Sequence, residues 1–129
     1  MKKILIVVCL AALFIEAAQA QKNILIYTKN GKGYVHDNIP AAVEALKKLS
    51  AENGYKAEST DDPAVFTPDK LKKYRCIIFA STNNEGFDTE QQKQAFVDYI
   101  RGGGGFVGIH SASGSERKWP WFAAMLGGR

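Results

Sequence analysis

The chain has 129 residues, enough for one modest domain and no more, and hydrophobic side chains make up 46% of it. Its 17 basic and 13 acidic residues leave a formal net charge of +4. The lysines at 47, 48, 70, 72 and 73 are spread over surface positions. They form no clustered basic stripe of the kind that nucleic-acid binding needs.

Residues 1–20 read as a secretory signal peptide. Lys2 and Lys3 give a positive start, Ile4 to Ile15 is an apolar stretch, and Ala18-Gln19-Ala20 is a small-x-small cleavage site. The apolar stretch is too short to span a bilayer comfortably, so no stable membrane anchor is expected after cleavage. Export makes the mature chain, 21–129, secreted or periplasmic. Without the leader the basic count falls from 17 to 15 and the acidic count from 13 to 12, leaving about +3. Cys9 departs as well, and Cys76 alone can form no intramolecular disulfide.

The mature chain alternates strands and helices. Asn23 to Thr28 is a short apolar run of the kind buried on both faces of a parallel sheet. A loop to Ile39 precedes a helix opened by Pro40, with Val43, Leu46 and Leu49 on its inner face and Asn53-Gly54 as its stop. Tyr55 to Thr60 forms the second strand. Thr67-Pro68 starts a short helix running through Tyr74, and Cys76 to Ala80 is the third strand. Thr89 and Gln92 make a capping box for a helix that buries Ala95, Phe96, Tyr99 and Ile100. Gly102 to Gly105 ends that helix, and Phe106 to Ile109 is the fourth strand. Trp119-Pro120 opens a last apolar segment, Trp121 to Leu126. This alternation predicts an α/β fold with a doubly wound, flavodoxin-like parallel sheet. The expected strand order is 2-1-3-4, incomplete at the C-terminal end.

Ligands of such sheets bind beyond the carboxyl ends of the strands. That rule nominates the loops from Thr28 to Ile39, Ser81 to Asp88 and His110 to Lys118. Both histidines of the chain, His36 and His110, fall within them. His110 directly follows an apolar strand and is flanked by small residues, as at a nucleophile elbow. An imidazole raised there can act as acid, base or metal ligand. Asp37 and Glu116 supply carboxylates to orient it or to complete a site for a divalent ion such as zinc, although no HxH or HExxH spacing is present. Ser81, Thr82, Asn83, Asn84 and Ser111 offer polar groups for hydroxyls, and Trp119 offers a ring face for a sugar. The two histidines are expected to open onto one cleft. The four glycines at 102–105 lie between a helix and a strand, the wrong order for a phosphate loop.

Tyr34 to Pro40 (YVHDNIP), Gly103 to His110 (GGGFVGIH) and Trp119 to Phe122 (WPWF) resemble the ThuA-like, trehalose-utilisation family from about Ile24 onward. The resemblance implies a fold similar to class I glutamine amidotransferases and a link to trehalose and related sugars. It also implies sugar-oxidising or haem proteins as partners. The sequence departs from the family at Asn38, near Gly114, and at Arg117-Lys118. It is expected to be the N-terminal portion of the family's domain.

Amidotransferase chemistry is not expected, because His110 occupies the elbow where those enzymes carry Cys. The readings that remain act on a small carbohydrate, such as trehalose or a 3-keto-glycoside. The first is an enzyme using His110 as general acid or base with His36 and Asp37. The others are a non-catalytic sugar-binding or accessory domain and a divalent-metal-dependent hydrolase in the same cleft.

Overall fold

The computed structural model describes residues 23–128. The signal peptide read at residues 1–20 therefore lies outside the described residues. Four strands, β1 (Asn23–Tyr27), β2 (Lys56–Thr60), β3 (Tyr74–Ala80) and β4 (Gly105–Ile109), form one all-parallel sheet in the order β2-β1-β3-β4. This is the doubly wound order expected from the alternation of elements.

Burial on both faces explains the apolar runs. Ile77, Ile78, Phe79 and Ala80 of β3 are all buried, so successive side chains pointing to opposite faces both meet protein. One face carries Leu25, Tyr27, Ile77 and Phe79. Against it pack Phe96 of helix α3 (Glu90–Arg101) and Phe122 of helix α4 (Pro120–Met125), where Phe79 stacks on Phe96 at 5.7 Å and on Phe122 at 6.0 Å. The opposite face, with Ile26 and Ile78, is crossed by α1 (Ile39–Glu52), which lies chiefly over β2 and touches β1 and β3. Val107, paired with Ile78 on the edge strand β4, is left 43% exposed.

The boundaries differ from the sequence reading in specific places. The short helix α2 (Pro68–Leu71) stops three residues before Tyr74. Tyr74 instead begins β3, where it is buried, pairs with Asn23 and donates its hydroxyl to Glu58. Cys76 is consequently the third residue of its strand, not the first. Val43 and Leu46 of α1 are half-buried, but Leu49 stands exposed. The helix rests over the polar edge strand β2, which offers its last turn little apolar surface. The capping box at the start of α3 forms as read, with the Thr89 hydroxyl accepting from the Gln92 amide.

Candidate functional site

Three loops leave the carboxyl ends of β1, β3 and β4, and backbone pairing laces them together. Isolated parallel bridges join Asn30 to Asn83 and Asn84 to Ser115. The Gly31 amide donates to the Asn83 carbonyl at 2.9 Å, and the Glu116 amide to the Asn84 carbonyl at 2.8 Å. Gly31 makes this approach feasible, since a Cβ there would sit 2.4 Å from the Glu85 backbone nitrogen. From below, the Tyr27 hydroxyl donates to the Gly86 carbonyl. Burial of that phenol, with Asp88, Asp62, Asp61 and Glu116 nearby, pushes its pKa well above the ordinary value.

On this platform the two histidines meet. His110 Nε2 lies 3.3 Å from His36 Nδ1, with the ring centres 4.4 Å apart and the planes at 76°. The chain brings His110 there by a left-handed turn, φ +56°, directly after β4. Non-glycine residues seldom adopt such a backbone, and they concentrate at functional sites. Gly108 assists, because any Cβ at that position would press on Ala112 Cβ at 3.2 Å and resist the one-turn 3-10 segment His110–Gly114. Ser81, at the end of the neighbouring β3, takes the same left-handed conformation at φ +55°, and its amide donates to the Ile109 carbonyl at 3.2 Å.

The remaining candidate residues divide between cleft and scaffold. The Asn83 side-chain oxygen accepts from the Asn84 amide and from Arg117 Nη2, and the Asn84 side chain donates to the Lys32 carbonyl. Thr82 and Ser115 share a buried hydroxyl pair at 2.8 Å. These groups hold the loops together. Ser81 and Ser111 carry buried hydroxyl oxygens with no hydrogen-bond partner, as does the side-chain oxygen of Asn30. A buried polar atom in that state costs about 1–3 kcal/mol, so three on one edge of the sheet mark it as a place of unmet hydrogen-bonding capacity.

Asp37 and Glu116 do not make the contacts expected of them, and Trp119 is packed by its neighbours. Asp37 is exposed and, among the described residues, bonds to neither imidazole. It lies with Asn38 in the turn that enters α1. Glu116 is 7% exposed and turned into the loop, where Oε1 accepts from the amides of Gly86 (2.9 Å) and Phe87 (3.2 Å) and Oε2 lies 3.3 Å from Lys93 Nζ. Trp119 packs on Phe87, Trp121 and Phe122, with Lys93 over its ring. It belongs to the rim of the core.

The geometry of the pair also bears on the metal alternative. Two imidazoles bound to one tetrahedral zinc, with bonds of about 2.0–2.1 Å, would hold their ligating nitrogens roughly 3.3 Å apart. The observed 3.3 Å matches that separation, but among the described residues no three His, Cys, Asp or Glu side chains are placed to hold a metal. Among the described residues the pair thus supplies two of the three or four protein donors that a zinc site uses.

Cys76 pairs with Gly105 at the start of β4, five residues before His110 and roughly 16 Å away along the strand. Burial raises its thiol pKa, further from the thiolate that nucleophilic chemistry requires. A cavity of about 360 Å³, lined by Leu71, Tyr74, Ala95, Asp98 and Tyr99 among others, opens at that same amino-terminal edge, away from the histidines.

A family model described as ThuA, trehalose utilisation, matches residues 23–129. A crystal structure of a thua-like protein from Bacteroides uniformis is 31% identical and superimposes with a TM-score of 0.65, covering 82% of this chain and 43% of that one. The present chain thus spans less than half the length of that relative. No curated protein matches the chain at a significant level. With a family match over all the described residues and a thua-like structure sharing its fold, the chain belongs to the ThuA family.

Proposed function

We propose that the chain is an exported ThuA-family domain that acts on a small carbohydrate or oxidised carbohydrate, of the trehalose or 3-keto-glycoside type. In this reading the His110–His36 pair is its proton-transfer centre. The observation that carries the reading is the 3.3 Å imidazole contact at a left-handed turn on the carboxyl edge of the sheet. In a hydrogen-bonded pair of neutral imidazoles one ring donates and the other accepts, and which does so depends on the tautomer. His110, the more exposed ring, is the one that faces substrate, taking a proton from a sugar hydroxyl or returning one to a leaving oxygen. His36 holds it through the shared hydrogen bond. The unpartnered hydroxyls of Ser81 and Ser111 lie buried beneath the same edge of the sheet. Export rests on the leader-like residues 1–20, and the sugar class rests on the family. Sugar-oxidising or haem proteins as partners rest on the same resemblance.

The test is turnover of disaccharides and 3-keto-disaccharides by the full chain and by His110→Ala. A loss of about 100-fold or more in kcat/KM is expected, the low end of what a general acid or base supplies. Binding of sugar without turnover in either protein would replace the enzyme with an accessory binding domain.

A further inference from the structure

The loop that delivers His36 also carries Tyr34, a residue 66% exposed, the most exposed of the large hydrophobic residues described. Its ring meets that of His36 edge-on, with centres 4.9 Å apart, and His36 in turn meets His110. The three rings form a continuous row from solvent to the left-handed turn. An aromatic ring left open to water loses the burial that ordinarily stabilises it, so a free ring face beside a polar centre is an informative placement. Val35, 57% exposed, adjoins it. Trp119, the aromatic that chain position alone favoured, has its faces occupied by Phe122 and Lys93.

We infer that Tyr34 is the stacking platform of the site, binding the C–H face of a pyranose ring and presenting its hydroxyls to the histidine pair. The inference rests on the sugar reading above and adds a residue to it. The ring supplies the apolar contact, which is tolerant of sugar identity, while the imidazoles read the polar edge. Tyr34 is therefore a substrate-binding group that leaves proton transfer to the histidines.

The experiment measures trehalose binding by calorimetry to the full chain and to Tyr34→Ala, Tyr34→Phe and Tyr55→Ala, with circular dichroism to establish that each is folded. Tyr55 is an exposed tyrosine just before β2, at the opposite edge of the sheet. Removal of the Tyr34 ring should weaken binding about tenfold, the scale of one aromatic contact. Tyr34→Phe and Tyr55→Ala should stay within about twofold of the parent. Equal affinities for Tyr34→Ala and the parent would overturn the inference. So would a loss in Tyr34→Phe as large as in Tyr34→Ala, since the hydroxyl would then carry the contact. A folded parent that binds neither trehalose nor its 3-keto form would overturn the sugar reading itself, and this inference with it.

Discussion

His110 Nε2 and His36 Nδ1 lie 3.3 Å apart across 74 residues of chain, and the contact depends on a backbone that His110 adopts at some cost. Its φ of +56° is left-handed, a conformation that disfavours any residue with a Cβ by about 1–2 kcal/mol and glycine hardly at all. His110→Gly should therefore be more stable than His110→Ala by about 1 kcal/mol in urea unfolding, although both lose the imidazole. Equal midpoints would mean that the turn relaxes once the histidine is gone, and that the His36 contact holds the strained backbone.

Glu116 gives the second prediction. Its carboxylate is the acceptor for two adjacent amides, those of Gly86 and Phe87, and it lies against Lys93. Glu116→Ala removes that acceptor from a buried loop and should cost about 2–4 kcal/mol, since each stranded N–H carries a desolvation penalty. Glu116→Gln retains an oxygen acceptor and should cost clearly less. If both substitutions left the unfolding midpoint unchanged while abolishing activity, the carboxylate would belong to substrate chemistry and not to the loop.

A pH dependence follows from the amino-terminal edge of the sheet. The Tyr74 hydroxyl donates to Glu58, Lys73 Nζ lies 3.0 Å from the same carboxylate, and together they hold the Glu58 carboxyl below its ordinary value. A carboxyl lowered in the folded state contributes stability above its unfolded pKa and loses it as pH falls through the folded one. The window therefore lies on the acid side of the ordinary carboxylate value near 4.5. The group is largely exposed, so solvent screening limits the effect to a few tenths of a kcal/mol. Thermal midpoints of the parent and Glu58→Gln should differ slightly at neutral pH and converge below that window. A gap that widens on acidification would contradict the assignment.

The sheet was legible in the sequence because β1, β3 and β4 contain short apolar runs, and the polar β2 shows by its place between two helices. Their order follows from connection length and the doubly wound rule. Thr89 and Gln92 announced their own cap. What stayed hidden depends on direction. Tyr74-Arg75 reads as polar, yet Tyr74 is buried and opens β3, because its hydroxyl finds Glu58 on a strand that the sequence cannot place alongside. Both histidines could be assigned to one edge, but their separation is set by the left-handed turn at His110, and nothing in the residue name states a φ. The polar run Asn83-Asn84 looked available for ligand. Pairing among three loops, visible only once they are side by side, engages the Asn83 side-chain oxygen and the Asn84 side-chain nitrogen in the scaffold. Tyr34 sat within the motif that pointed to the family, yet only its exposure beside His36 distinguishes it from a core tyrosine.

Trp119 is where the two readings separate most sharply, and it yields the last prediction. Its ring stacks on Phe122 at 6.1 Å and 19°, meets Phe87 edge-on at 5.8 Å and Trp121 at 5.1 Å, and lies 5.5 Å under Lys93 Nζ. Spacing of three residues between Trp119 and Phe122 puts both on one side of the helix start, and that side faces α3 and the sheet. Truncation would open a cavity beside Phe87 and strand the Lys93 stem, so Trp119→Ala should cost about 3 kcal/mol, within the range for large aromatic deletions but reduced by partial exposure. In a domain of this size that corresponds to a fall in thermal midpoint on the order of 10–20 °C. Trehalose affinity, measured well below the lowered midpoint, should be unaffected. A variant that melts with the parent but no longer binds sugar would show that the tryptophan face is offered to ligand, and would move the binding cleft from the Tyr34 side of the histidines to the Trp119 side.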